Sequence, residues 1–189
     1  DALDVLAART SAACFGTLAS RNEASRKTIK RFLQRVPQSC LRVFDINLRQ
    51  EFYSAERILE LLEFTDVLKL NNDELPVVAE MAGLVDGDSE QALCSLAQKF
   101  NLDTVALTRG GRGSVLCSNG RVLHHAGYNA AVTDTVGAGD AFTAALVAGL
   151  LQQRELDAVN DDANRVASYV CSKPGATPTL PMSWSGIEE

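Results

Sequence analysis

Apolar and polar positions along this chain follow two alternating periods. CFGTLA at 14–19 and LRVFDIN at 41–47 are short apolar runs of strand length. Between them, NEASRKTIKRFLQRV carries Ile29, Phe32, Leu33 and Val36 at helical spacing on one face. SAERILELLEF repeats that helical period and opens on Ser54, a residue type that caps a first turn. DVLKL predicts the next strand, and ELPVVAEMAG predicts a helix stopped by Gly83. SEQALCSLAQKF predicts a further helix that leads into the strand TVALTR. GSVLCSNGRVLHHAG reads as a hairpin, because Asn119-Gly120 favours a type I′ turn. Two last helices are predicted over roughly 138–152 and 157–171.

Strand, helix and strand repeated in this way imply a mostly parallel sheet covered on both faces, in one α/β domain spanning 1–189. No internal repeat or low-complexity tract interrupts it. Composition narrows the function classes. The net charge is −6, from 18 basic and 24 acidic residues, with no basic stripe of the kind that grips nucleic acid. No apolar run approaches the roughly 18 residues needed to span a bilayer, and the chain does not open on a signal-peptide pattern. Five scattered cysteines, with no C-x-x-C pair, argue against a disulfide framework or structural zinc and predict reduced, buried thiols in a cytoplasmic protein.

Ligands of such sheets gather beyond the carboxyl ends of the strands, where four polar or glycine-rich clusters fall. DTVGAGDAF puts Gly137, Ala138 and Gly139 at the start of a helix, where free backbone amides and the helix dipole can hold an anion. Asp140 follows in the first turn, placed to accept a proton from a hydroxyl. The same residues also make an ordinary tight turn with a helix-start acid. TRGGRGS follows an apolar strand and suits either a loop against a nucleotide or the start of a hairpin. In FDINLR, alternation predicts Asp45, Asn47 and Arg49 on one side of a strand end, with arginine suited to phosphate oxygens. KLNNDEL offers Asn71 and Glu74 as hard ligands near a magnesium-bound phosphate, or as helix-start residues.

In this order, D-x-N-x-R, N-x-x-E, T-x-G-x-x-G and D-T-x-G-A-G-D, the motifs resemble the PfkB (ribokinase-like) carbohydrate kinases. The last motif is highly specific; the others gain weight from their sequence. The resemblance runs from CFGTLASR to GATPTLP, and FGTLASR with FDINLRQEFYS looks most like the fructokinase-like branch. It implies a three-layer α/β/α sandwich and transfer of the ATP γ-phosphate to a sugar hydroxyl, of fructose or a related sugar. By that comparison Asp140 is the general base and the Gly137, Ala138 and Gly139 amides form the anion hole. Thr108, Gly110 and Gly113 line the nucleotide, with Asn164 a candidate for the adenine pocket. Asp45, Asn47 and Arg49 lie near phosphates and sugar, and Asn71 and Glu74 on the Mg2+ side, partly through water. A K+ site would involve Asp134, Val136 and Gly175.

The family's N-terminal part, with its first signature, sugar residues and β-sheet lid, has no counterpart here. The resemblance therefore implies the C-terminal, nucleotide-binding portion of a longer kinase, with a homodimer as a property of the complete protein. A site without its lid admits water, which opposes phosphoryl transfer, so the portion alone is expected to bind ATP and turn over poorly. Two other readings stand beside it: a non-catalytic nucleotide- or sugar-sensing module on this fold, and a dinucleotide oxidoreductase, disfavoured because FGTLAS supplies one glycine only. Within the kinases, a nucleoside or 2-keto-3-deoxy-sugar substrate stays open. His124 and His125 are placed on the second hairpin strand, away from the crevice, and Trp184 in a tail that packs on an edge.

Overall fold

The computed structural model describes residues 2–50, 52–84, 87–181 and 184. Helix α1 (Ala2–Ala7) leads into β1 (Ala12–Gly16), followed by α2 (Glu23–Leu33), β2 (Leu41–Asp45) and α3 (Ala55–Leu62). Next come β3 (Val67–Asn71), α4 (Glu74–Met81), α5 (Ser89–Phe100) and β4 (Thr104–Thr108). A single 3-10 turn at Gly110–Arg112 reverses the chain into β5 (Ser114–Ser118) and β6 (Arg121–His125). Helices α6 (Ala138–Leu151) and α7 (Leu156–Cys171) complete the order.

The strands form one sheet in sequence order, β1 to β4 parallel and β5 and β6 antiparallel. A strand order that never doubles back has a direct consequence. Right-handed crossovers between successive parallel strands put every connecting helix on the same face. One core cluster accordingly joins Phe44, Leu68 and Leu107 of the sheet to Ile58, Val78 and Leu93 of α3, α4 and α5. The opposite face is left for α6 and α7, and a second cluster joins Val43, Val67 and Ala106 to Phe142, Leu146 and Val159. The result is the three-layer α/β/α fold that the sequence implied. Gly149 lets the last two helices close on each other, since a Cβ there would lie 2.7 Å from Cγ2 of Val159.

Local chemistry explains the boundaries. The Asn22 side chain accepts from the Ala24 amide at 2.9 Å to start α2, and Ser54 accepts from Arg57 to start α3. Asp88 and Gln91 form a capping box at α5. Gly83 takes a φ of +67° after α4, as its position past a helix end requires. Asn119 (φ +49°) and Gly120 (φ +76°) make the predicted I′ turn. Val36 falls beyond the end of α2, so the helical face read from sequence is one member shorter.

The cysteines need a correction. Cys94 on α5 and Cys117 on β5 form a disulfide with their Cα atoms 5.8 Å apart. Both side chains face the same core between α5 and the sheet, a proximity that a 23-residue separation does not announce. Cys40 is buried as expected, whereas Cys14 is exposed.

Candidate active site

The period-2 pleat sets the site's floor. Val43, Val67 and Ala106 point toward α6 and α7, so Asp45, Lys69, Asn71 and Thr108, two or four residues further on, share that face at the carboxyl ends of β2, β3 and β4. Asp45 lies opposite Lys69 in the register, and Thr108 opposite both Asn71 and Ser114. The first turn of α6 lies over this end of the sheet: Thr143 Oγ1 donates to Asp45 Oδ2 at 2.9 Å, with the Gly139 carbonyl 3.0 Å away as a second acceptor.

Gly137 caps α6 in the left-handed region (φ +81°), and a Cβ there would collide with the Ala176 carbonyl. Only glycine permits both that turn and that approach. Among the described residues, the amides of Gly137, Gly139 and Asp140 donate to no backbone or side-chain acceptor, while Ala138 reaches the Thr135 carbonyl at 3.4 Å. Free amides at the N-terminus of a 14-residue helix form a cradle whose donors and dipole suit an anion. The Asp140 side chain in that first turn is exposed and bonded to nothing among the described residues.

A cleft of about 750 Å³ opens beside this cradle. Thr108, Gly110 and Gly113 form one side, Ala138 and Gly139 its head, and Asn164 of α7 part of the far wall. The TRGGRGS segment therefore serves both readings that its sequence allowed: it turns β4 into β5 and it lines the cleft. Asn164 is buried and its amide nitrogen donates to Ser114 Oγ and to the Asn160 carbonyl, each at 2.7 Å. It braces the wall, with its NH2 already committed. Cys171 also lines the cleft, and burial pushes its thiol up, with the Asp134 carboxylate adding to the effect.

The expected one-sided array at the end of β2 is not what forms. The strand stops at Asp45, and Asn47 adopts a φ of +48°, which breaks the alternation. Asp45 is buried and ion-paired to Lys69 Nζ at 3.0 Å, whereas Arg49 is exposed, its guanidinium 3.4 Å from Asn47 Oδ1. Asp45 thus belongs beneath the start of α6, and Arg49 is turned to solvent.

Asn71 Oδ1 accepts from the Asp73 and Glu74 amides and so opens α4. Glu74 is buried, with Oε1 accepting from the Leu48 amide at 3.1 Å and Oε2 from the Asn71 amide at 2.9 Å. Both carboxylate oxygens hold loops together. Among the described residues, no three His, Cys, Asp or Glu side chains converge on a metal-sized site. Asn71 and Glu74 thus reach the carboxyl end of β3 with their side-chain oxygens engaged by backbone amides.

Asp134, Val136 and Gly175 do come together: Asp134 Oδ1 accepts from the Val136 amide at 3.0 Å and Oδ2 from the Gly175 amide at 3.2 Å. This carboxylate ties the loop before α6 to the segment after α7. His125 is closer to the site than its sequence position implied. It sits 3.1 Å from Asp161, which accepts from the hydroxyl of Tyr128, a cleft-lining residue, at 2.6 Å. That Tyr128 hydrogen bond holds the Asp161 carboxyl below its ordinary range and raises the phenol. Trp184 packs edge-on against Tyr169, under the Arg165 guanidinium. Lys69, Thr143 and Tyr128 went unread because each looks, in sequence, like a strand, helix or hairpin residue.

The model of the pfkB family carbohydrate kinases matches residues 14–182, the sheet from the middle of β1 onward and everything that frames the cleft. The chain belongs to the PfkB family. Escherichia coli fructokinase is 32% identical over 149 residues, covering 73% of this chain and 47% of that protein. A Pyrococcus horikoshii sugar kinase is 30% identical over 173 residues, 87% of this chain and 51% of its own length. The PfkB chain thus spans about half the length of these relatives. The solved structure of the P. horikoshii kinase with ATP superposes with a TM-score of 0.75 at 28% identity, over 92% of this chain and 55% of that one. An E. coli protein assigned as a ribokinase II, solved with ATP and Mg2+, shares the fold at a TM-score of 0.75 and 20% identity, over 88% and 54% of the two chains. Among the described residues, no helix is long and apolar enough to cross a membrane.

Proposed function

We propose that this chain is the nucleotide-binding portion of an ATP-dependent sugar kinase. One observation carries the reading: an exposed carboxylate, Asp140, without a partner among the described residues, stands beside helix-start amides equally free there, at the head of a glycine-lined cleft. The nucleotide lies along Thr108, Gly110 and Gly113, with its phosphates directed to the start of α6. Asp140 accepts the proton of the acceptor hydroxyl as that oxygen bonds to the γ-phosphorus and the bond to the β,γ-bridging oxygen breaks, releasing ADP. The Gly137–Gly139 backbone holds the charge that spreads over the transferring group. Magnesium bound with the nucleotide would supply charge neutralisation of the phosphates. A monovalent cation beside Asp134, Val136 and Gly175 belongs to the same proposal, and comparison of nucleotide affinity in potassium and in sodium tests it.

The similarity to E. coli fructokinase supports fructose or a related sugar as the acceptor. The exposed position of Asp140 supports slow turnover by this chain alone, because water reaches the base and the acceptor has no wall on that side. The test is sugar-phosphate formation from ATP over a panel of fructose, ribose, 2-keto-3-deoxy-sugars and nucleosides, by the chain and by Asp140→Asn. Slow, Asp140-dependent transfer to a sugar is expected. Turnover equal to that of a full-length kinase contradicts the open-site reading, and transfer unaffected by the substitution contradicts the role of Asp140.

A further inference from the structure

Beneath the cradle lies a charged pair that the reaction above does not use. Lys69 and Asp45 are 4% and 8% exposed, paired on the sheet face that α6 covers. Burying two charges is costly, and a pair retained in such a place has a geometric role to account for it. The pair is also directional. Asp45 receives the Thr143 hydroxyl, one turn into α6. The ammonium is turned toward the cradle: Lys69 Nζ is the atom that a Cβ on Gly139 would meet, at 3.2 Å, and no Asp45 atom comes within 4 Å of that point. Asp45 takes one of the three ammonium protons.

We infer that Lys69, held by Asp45, which in turn receives the Thr143 hydroxyl, is a positioning residue for the phosphoryl site. It fixes the first turn of α6 against β2 and β3 and sets a positive charge directly behind the amides that face the γ-phosphate. The pair is neutral as a whole, yet its positive end faces the cradle, so its field adds to that of the helix N-terminus. A Cβ at residue 139 would press on the ammonium, which would have to give by a few tenths of an ångström. This inference rests on the kinase reading, since it assumes that a terminal phosphate reaches the cradle.

The discriminating quantity is the preference for ATP over ADP, which a merely structural role does not move. MgATP and MgADP are titrated calorimetrically into the chain and into K69M, D45N/K69M and T143V, with circular dichroism to verify folding. The wild-type chain is expected to favour ATP, K69M and the double variant to lose about tenfold of that preference, and T143V to lose a few-fold, where tenfold corresponds to about 1.4 kcal/mol. D45N/K69M leaves no buried charge unpaired and T143V keeps both charges, so these two report even where K69M alone does not fold. An unchanged ATP preference in the folded variants overturns the role of Lys69. A folded wild-type chain that binds neither nucleotide overturns the kinase reading instead.

Discussion

Replacing Gly113 with alanine tests whether the cleft is built by backbone contact as described. Gly113 holds a φ of +77°, and a Cβ there would collide with the His125 carbonyl oxygen and the Gly127 amide and lie 2.6 Å from the Ala126 carbonyl carbon. None of these is a flexible side-chain end, so the hairpin must move. Gly110, three residues earlier, has a φ of +58° with nothing within 4 Å of its Cβ position, and serves as the internal control. In Gly110→Ala only the left-handed backbone is penalised, at about 1 kcal/mol. In Gly113→Ala a backbone penalty at least as large, since φ +77° with ψ −134° suits glycine alone, is joined by overpacking of about 2–3 kcal/mol, giving about 3–4 kcal/mol or more in all. For a chain of this size each kcal/mol moves the melting midpoint by about 2–4 °C. Differential scanning calorimetry should therefore show losses of about 2–4 °C for Gly110→Ala and about 6–16 °C for Gly113→Ala. Only the second substitution displaces 126–127 from the cleft wall, so it should also weaken nucleotide binding the more. Equal midpoints for the two variants would refute the packing account of this loop.

Asp140→Asn should leave MgATP affinity within about twofold while cutting phosphoryl transfer by about 10²-fold or more, as read by coupled assay of ADP release in the presence of sugar. The variant of Asp103 has a pH signature: burial, then the Asp66 carboxylate, raise its carboxyl above the ordinary 3.8. A raised acid adds stability that is fully present below the unfolded value and lost as pH rises through the folded one. Asp103→Asn should accordingly raise the melting midpoint at pH 7 and leave it unchanged at pH 3; the same shift at both pH values would contradict that cause.

Much of the fold was legible because its signals are local. The I′ turn at Asn119-Gly120, the stop at Gly83 and the helix faces of α3 and α5 follow from residues adjacent in sequence or one turn apart. The cradle at 137–139 was legible for the same reason, since small residues before an apolar helix are a contiguous pattern. What the sequence hid depends on register between strands. Lys69 reads as one charge in an apolar run until β2 sets Asp45 opposite it, and the alternation in FDINLR fails because Asn47 turns left-handed once β2 ends. The Cys94–Cys117 pair likewise depends on how α5 lies across β5. Glu74 was recognised as an acid at a strand end, but its two amide partners, Leu48 and Asn71, come from different loops that only the fold brings together.

The most direct test of the central claim is calorimetric titration of the folded chain with ATP, with and without magnesium. The account predicts one nucleotide per chain, bound more tightly with magnesium, and weakened by Gly113→Ala. No binding by a chain shown to be folded, under either condition, would contradict it.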